Sequence, residues 1–385
     1  MGAATEGAPA TFDQMWNRST STAAQRGSQC RVLHFAAMAA PVLIGILYDF
    51  PQADGGAGFE EAVRIGIDEV AASGRLDRPV ELVPRQAPGL PAGSAHGVEQ
   101  VFGELADTGV LAVIGPSISD NGLIVKPLAD ARGLPCINYT GGEITRSEHV
   151  FHYQVGSLEE EPAVIAEHLA QRSLRSAAVI HDHSAVGRRY AEFFAENCAR
   201  LNVEIAGTAA VSSLSEDLGP TVARLRVGDP QALVYLGLGV AARPVALALA
   251  DQGWDLPVVA NSSLMFGYAR PDWREAWEGW AYVDNVADDN RVRASLRERS
   301  KRAAAGPLGL AAYDLGRLVC EGVARSAHLT RDGVREGLER VKRLPAASGL
   351  DGTTMGFGAW DHGALKGTYL VLRRWQGGRS VQVGG

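Results

Sequence analysis

Cysteine is scarce in this 385-residue chain, and the spacing of the four cysteines argues against a disulfide framework or a zinc site. They are Cys30, Cys136, Cys198 and Cys320, and none forms a C-x-x-C pair. Cys136 falls in an apolar, strand-like run, and the two cysteines after it fall in helical patterns. We therefore expect buried free thiols.

The chain also lacks a long apolar run and a basic stripe. Its longest apolar stretch, residues 32–47, is broken by His34 and Pro41 and is shorter than the roughly 18 residues of a membrane-spanning helix. The 37 Lys and Arg are dispersed, and the formal net charge is -7. Because a phosphate backbone is held by clustered cations, we expect no nucleic acid partner and no direct membrane insertion.

No convincing signal peptide stands at the N-terminus as written. The apolar part before a possible cleavage site at residues 37–39 contains His34 and is shorter than the roughly 7 to 15 residues that export signals carry. Residues 1–38 are rich in Ala, Ser, Thr and Gly without sustained periodicity. We predict a disordered tail there.

Residues 110–142 predict a strand, a helix and a second strand. Val110–Ile114 is a β-branched apolar run stopped by Gly115-Pro116, and Leu123–Arg132 carries apolar residues at helical spacing. Pro135–Asn138 then reads as a second buried strand. Small hydroxyl residues and glycines follow both strands, at the carboxyl ends where open α/β sheets bind ligands.

The same alternation continues along the chain and predicts the fold class. Further strands are predicted at residues 41–47, 80–83, 151–155, 176–180, 203–211, 232–236, 257–260 and 279–283. Helices of about 10 to 15 residues separate most of them, which is typical of an α/β fold with parallel, doubly wound sheets. The pattern is too long for one sheet, so we expect two.

A glycine turn raises the alternative of a nucleotide-dependent enzyme. Residues 237–242 match the dinucleotide fingerprint G-x-G-x-x-G/A between a strand and a helix. The fingerprint needs an acidic residue about 20 positions on, and the next strand ends in Asn261 instead. A tight turn without a cofactor is favoured over nicotinamide binding.

Three other polar motifs favour structural roles. His181-Asp182-His183 lacks further ligands at zinc spacing, so we interpret it as a loop capping the next helix. Glu159-Glu160-Glu161 suits the solvated first turn of a helix. Ser117 and Ser119 lack the G-x-S-x-G setting of a hydrolase. We expect no catalytic residues and no metal, and a site built for binding.

Eight segments together resemble one known family. They are PVLIGIL followed by GFEEAVRIGIDEV, VLAVIGPSIS, LPCINYTGG, SAAVIHDHSAVGRRYAEFF, ALVYLGLG with PVVANSS, and AAYDLGRLVCEGV. In this order and spacing, over about residues 41–375, the chain is similar to type I periplasmic binding proteins. The similarity is strongest to the leucine/isoleucine/valine-binding branch, which serves ABC importers.

The resemblance implies two Rossmann-like lobes with parallel, doubly wound sheets, joined by a three-strand hinge. Carried onto this sequence, lobe 1 comprises residues 39–153 and 283–345, and lobe 2 comprises residues 154–282 and 346–385. The ligand is clasped between the lobes as they close. The implied function is that of a solute-binding protein for an ABC importer of the branched-chain amino acid type, without enzymatic activity.

The resemblance also implies the ligand-binding residues. From lobe 1 they are Tyr48, Gln52, Ser117, Ser119, Tyr139, Thr140, Gly141 and Gly142. From lobe 2 they are Val186, Leu238, Gly239, Asn261, Ser262 and Ser263. In amino-acid-binding members, the loops at residues 117–119 and 139–142 hold the ligand's carboxylate, which suits hydroxyls and amides near helix N-termini.

Two departures from the family pattern bear on the ligand, and the lack of a convincing export signal bears on location. Amino-acid binders carry an acidic residue for the ligand's ammonium, where this chain has Asn261, Ser262 or Ser263, and a Tyr where it has Val186. These changes favour a neutral amide or a carboxylic acid, because a buried ammonium needs a counter-charge. The resemblance implies an extracytoplasmic protein with a permease partner, and a cytoplasmic sensor of the amide-responsive kind is the alternative.

Overall fold

The computed structural model describes residues 40–50 and 56–383. The predicted tail at residues 1–38 lies outside the described residues. The strands are β1 (Val42–Tyr48), β2 (Val80–Gln86), β3 (Ala112–Ile114), β4 (Cys136–Asn138), β5 (Val150–His152), β6 (Ser176–Asp182), β7 (Glu204–Val211), β8 (Ala232–Leu236), β9 (Val258–Ala260), β10 (Ala281–Asp284), β11 (Leu344–Pro345), β12 (Thr354–Met355), β13 (Leu365–Lys366), β14 (Val371–Gln376) and β15 (Arg379–Gln382).

The α-helices fill the connections between these strands. They are α1 (Ala57–Ala72), α2 (Ala95–Asp107), α3 (Ser119–Arg132), α4 (Glu161–Gln171), α5 (Ala185–Leu201), α6 (Gly219–Arg226), α7 (Ala242–Asp251), α8 (Pro271–Ala276), α9 (Arg291–Arg299), α10 (Pro307–Arg325) and α11 (Arg331–Glu339). Short 3-10 helices lie at Glu143–Thr145 and Ser262–Tyr268.

Two large sheets organise the fold, as the strand and helix alternation predicts, and a small third sheet has the order β11-β12-β13. The first has the order β2-β1-β3-β4-β5, and all of its pairs are parallel. The second has the order β15-β14-β10-β9-β8-β6-β7, parallel from β10 to β7 and antiparallel at β14 and β15. Central strands such as β8 are buried at every position, which explains their unbroken apolar runs.

The helices divide between the two sheets. We call the first sheet with α1, α2, α3, α10 and α11 lobe 1, and the second sheet with α4 to α8 lobe 2. The long helix α10 packs on α1 and α11, and α4 packs on α5. The exact lobe boundaries proposed from the resemblance remain a prediction.

One buried side chain joins the three chain segments that cross between the lobes. The Asn285 side chain accepts a hydrogen bond from Gly156 N–H (2.8 Å) and donates to the carbonyls of Gln154 (3.3 Å) and Tyr369 (3.1 Å). Gln154 follows β5, Asn285 follows β10 and Tyr369 precedes β14. The Asn285 side chain therefore links the three crossovers by hydrogen bonds.

Two local differences from the predicted pattern have clear physical reasons. Helix α3 begins at Ser119, four residues before the predicted start, because the small polar residues form its first turn instead of a loop. Helix α11 was not predicted, since its sequence is mostly charged. It is stabilised at its N-terminus by Thr330, whose hydroxyl accepts the Gly333 N–H (3.1 Å).

The thiol prediction is confirmed for the described cysteines, because Cys136, Cys198 and Cys320 are free and buried. None of the described helices combines the length and apolarity needed to cross a membrane. Across residues 40–50 and 56–383, no three His, Cys, Asp or Glu side chains cluster in a way that could hold a metal ion.

Candidate functional site

A cleft lies between the two lobes, where the carboxyl ends of their parallel strands face each other. It encloses about 890 Å³ of empty space, part of which is open to solvent. Its walls come from the loops after β1, β3, β4, β6, β8 and β9, the positions at which open α/β sheets bind ligands.

Most of the expected ligand-binding residues line this cleft. They are Ser117, Ser119, Tyr139, Gly141, Val186, Leu238, Asn261, Ser262 and Ser263. Gln52 lies outside the described residues. Contact of these side chains with a ligand remains a prediction.

Four expected residues lie behind the cleft wall instead. Tyr48 packs edge-on against Phe59 in the core, with ring centroids 5.8 Å apart. The Thr140 hydroxyl accepts the Gly142 N–H (3.3 Å), so both residues support the loop between them. The Gly239 N–H donates to the Tyr235 hydroxyl (3.2 Å).

Several residues that line the cleft were not expected from the sequence. They are Phe50, Asp120, Val155, Asp182, Ser184, Tyr190, Gly237, Met265, Phe266 and Leu308. A usable signal existed for two of them. Asp182 ends a buried strand, and Asp120 directly follows Ser119, so both occupy the loop positions that already favoured a ligand site. Two acidic side chains therefore line the cleft at positions other than 261–263.

An internal carboxylate occupies the anion-binding loop after β3. The buried Asp49 side chain accepts hydrogen bonds from Ser117 N–H (2.8 Å), the Ser117 hydroxyl (2.7 Å) and Ile118 N–H (2.9 Å). The Asn121 amide donates a fourth bond (2.8 Å). Burial raises the pKa of Asp49, and these four donors oppose that shift. The donors of Ser117 and Ile118, in a loop expected to hold a ligand carboxylate, are therefore engaged within the protein.

The glycine turn after β8 is engaged in a similar way. Leu238 N–H donates to the Asp182 carboxylate (2.8 Å), and Gly237 N–H lies 3.4 Å from the Asn261 side-chain oxygen. With the Gly239 bond to Tyr235, all three amides have acceptors inside the protein. A pyrophosphate cradle needs such amides free, so this geometry does not favour nucleotide binding.

Glu161 contradicts the expectation of a solvated first turn. Its side chain is fully buried and accepts hydrogen bonds from Ser157 N–H (2.6 Å), Ser262 N–H (2.6 Å) and the hydroxyls of Tyr190 and Ser262 (both 3.0 Å). Burial raises its pKa to about 7, although each of these donors lowers it. The carboxylate therefore fixes Ser262 in the cleft wall relative to the first crossover.

The two lobes touch each other across the cleft. The Phe50 ring from lobe 1 stacks on the Phe266 ring from lobe 2, with centroids 5.2 Å apart and planes inclined by 27°. Asp120 of lobe 1 faces the N-terminus of α5 in lobe 2. The Ser184 hydroxyl and Val186 N–H lower its pKa there, and burial outweighs them and raises it. The conformation is therefore one in which the lobes are in contact.

Solved structures of similar fold are substrate-binding proteins. The periplasmic binding protein type 1 of Bordetella pertussis Tohama I superposes with a TM-score of 0.76 at 17% identity, covering 90% of this chain and 100% of that one. The leucine-binding protein LivK of Thermotoga maritima MSB8 gives 0.75 at 17% identity, with 89% and 98% covered. A solute-binding protein of an ABC transporter from Rhodopseudomonas palustris BisB5, in complex with 3,4-dihydroxybenzoic acid, gives 0.73 at 16% identity, with 89% and 96% covered. At these identities the likeness establishes the fold.

No protein of curated function matches this sequence significantly. The sequence itself matches a family profile described as "Periplasmic binding protein" over residues 41–378, which is most of the chain. This match agrees with the two-sheet fold and the interlobe cleft. The chain therefore belongs to the periplasmic binding protein family, whose members are solute-binding proteins.

Proposed function

We propose that this protein captures a small organic ligand between its lobes and delivers it to the permease of an ABC importer of the branched-chain amino acid type. The observation that carries the proposal is the cleft itself, lined from both lobes and bridged by the Phe50–Phe266 stack. A site divided between two lobes is completed only when they close. Ligand contacts made only in the closed state then shift the population toward it.

Binding without catalysis suits the side chains of the cleft. Hydroxyls, amides, aromatic rings and two carboxylates line it, and no histidine is among the described lining residues to activate a hydroxyl. The hydroxyls of Ser117 and Ser262 donate to Asp49 and Glu161, which are hydrogen-bond acceptors fixed in the walls. These interactions hold the surface in shape and assemble no nucleophile and base.

Similar folds support the proposed importer partner and extracytoplasmic location. They include an ABC transporter substrate-binding protein from Sphaerobacter thermophilus and LivJ of Streptococcus pneumoniae, a branched-chain amino acid transporter substrate-binding protein in complex with isoleucine. The ligands of such structures range from isoleucine to a dihydroxybenzoic acid. The fold therefore supports a transport role, and the residues of this cleft determine which ligand is bound.

The test is a ligand screen with a blocked cleft as reference. Amino acids, amides, amines and carboxylates are added to the purified protein, and thermal stability and radius of gyration are measured, since binding to the native state raises the melting temperature. At least one compound is expected to raise it and to compact the protein. Leu238→Trp places a large ring in the cleft wall and should abolish the response.

Leu247→Trp is the matched control, because Leu247 is 43% exposed on α7 and does not line the cleft. It should bind like the wild type. Equal binding by both tryptophan variants would show that the ligand sits elsewhere. A purified protein that responds to no compound in the screen would count against the proposed function.

A further inference from the structure

Two carboxylates from opposite lobes line the cleft. Asp120 lies in the first turn of α3 in lobe 1, and Asp182 ends β6 in lobe 2. Both line the same cleft, the charge of Asp120 raises the pKa of Asp182, and burial raises the pKa of both. Neutral donors already reach each carboxylate, from Ser184 and Val186 to Asp120 and from Leu238 to Asp182, and a counter-charge would stabilise the pair further.

No cation in the described part of the wall offsets this charge. The described residues that line the cleft include no Lys, Arg or His. Arg188 lowers the pKa of Asp120 by its charge, but it is exposed and does not line the cleft. The electrostatic potential of the cleft is therefore set by its carboxylates.

Donors of two strand-end loops that could serve a ligand anion are already engaged. Asp49 accepts hydrogen bonds from the N–H and the hydroxyl of Ser117, and Asp182 accepts one from the N–H of Leu238. Both strand-end loops thus carry an anion that belongs to the protein. An added ligand carboxylate would lie beside these charges and would lack their donors.

An unsatisfied hydroxyl and two aromatic rings complete the site. Tyr139 lines the cleft and is 1% exposed, and although Ser117 lies near its hydroxyl, no hydrogen bond of good geometry satisfies that group within the described chain. Its oxygen can accept an N–H from a ligand. The stacked rings of Phe50 and Phe266 offer an apolar surface that also attracts cations.

We propose that the ligand carries a positively charged nitrogen, held between Asp120 and Asp182 with its apolar part against Phe50 and Phe266, and that it needs no carboxylate. This inference rests on the proposed function and narrows its ligand class to organic amines and amidines. This ligand class replaces the amide or carboxylic acid that was favoured because residues 261–263 include no acidic side chain. A bound cation offsets the repulsion between the two carboxylates and joins the lobes through one charge-assisted contact on each side.

The experiment compares ligands that share a carbon skeleton and differ in their polar group and its charge. The probes are 3-methylbutan-1-amine, 3-methylbutanamide and 3-methylbutanoate, with 2-phenylethanamine, 2-phenylacetamide and phenylacetate as a second skeleton and leucine as the zwitterion. Binding is measured by calorimetry and by the shift in melting temperature. Within each skeleton the amine is expected to bind at least tenfold more tightly than the amide or the acid.

Variants test whether Asp120 and Asp182 bind the charged nitrogen. Asp120→Asn and Asp182→Asn should each weaken amine binding about tenfold and leave amide binding nearly unchanged. Asp251→Asn removes the same charge from an exposed position at the end of α7 and should change neither. Circular dichroism checks that each variant is folded. Asp120 is partly exposed, so Asp120→Asn still tests the inference if Asp182→Asn does not fold.

Two outcomes overturn the inference. Preferred binding of the acid or the amide, with lobe closure, would refute the cationic ligand while leaving the proposed function standing. Amine binding that Asp120→Asn and Asp182→Asn weaken no more than Asp251→Asn would place the cation elsewhere. If no probe of any charge, and no compound of the wider screen, closes the lobes, the proposed function itself fails.

Discussion

The Asp49 carboxylate accepts hydrogen bonds from both the N–H and the hydroxyl of Ser117, at 2.8 and 2.7 Å. This pair joins the end of β1 to the loop after β3, the loop expected to receive a ligand's carboxylate. The protein therefore supplies its own anion to a structure suited to bind one. This internal hydrogen bonding affects both the stability of lobe 1 and the choice of ligand, because the same donors cannot bind two acceptors equally well.

Removing this internal anion should destabilise lobe 1. In Asp49→Ala, the amides of Ser117 and Ile118 lose their acceptor in a buried loop, and we expect a loss of about 3 kcal/mol in the free energy of unfolding. Chemical denaturation measures it. Asp77→Ala removes an exposed carboxylate paired with Arg78 and should cost less than about 0.5 kcal/mol.

Added acetate should partly restore Asp49→Ala, because a small carboxylate can take the vacated donors. The expected sign is a larger rise in melting temperature for this variant than for the wild type in the same acetate buffer. Equal stability of Asp49→Ala and the wild type would show that the four bonds contribute little.

Glu161 should make stability depend on pH. Its pKa in the folded protein, about 7, lies above the ordinary 4.5, so the folded state holds the proton more tightly. The stabilisation from this group is present below about pH 4.5 and is lost as pH rises through 7, a change of about 3 kcal/mol at most. Glu161→Gln cannot titrate and should show a flatter profile between these pH values. Parallel profiles, from denaturation at several pH values, would contradict this assignment.

A methyl group at Gly156 should disturb the cleft wall. A Cβ there would lie 2.2 Å from both the Glu161 carboxylate and the Ser262 hydroxyl, and φ is +82°. Gly279 has φ of +81° and nothing within 4 Å, so Gly279→Ala measures the backbone strain alone, about 1 kcal/mol. We expect Gly156→Ala to lose more stability and to lose the ligand-induced thermal shift that Gly279→Ala keeps. Similar behaviour of the two variants would show that the wall tolerates the displacement.

The Phe50–Phe266 stack should favour the closed lobes. Phe50→Ala and Phe266→Ala each remove the aromatic contact, so the ligand-free protein should expand in solution scattering and bind ligand more weakly. A double-mutant cycle on ligand affinity should give a coupling of about 1 kcal/mol, since the two rings touch. Strictly additive effects would mean that the rings do not act together in closure.

Local sequence signals were sufficient for the layout of the fold and for the location of the cleft. Runs such as Ala232–Leu236 predict buried parallel strands because both faces of such strands are covered. Glycines and hydroxyls after Ile114 and Asn138 mark the carboxyl ends of strands, where the fold places its ligands. These signals depend on neighbours within a few residues, and for that reason they can be read from the sequence.

The chemistry of the cleft was decided by tertiary structure. Asp49 and Ser117 are 68 residues apart, and Glu161 and Ser262 are 101 apart. Whether a carboxylate is solvated, buried among donors or open to a ligand depends on which distant loops meet it. The sequence by itself determined the alternating α/β architecture and the strand ends that form the cleft. Only tertiary packing decided that Glu161 is buried, that Asp49 accepts the donors of the loop after β3 and that Asp120 and Asp182 line the same cleft, because burial and hydrogen-bond partners are set by contacts that no local pattern encodes.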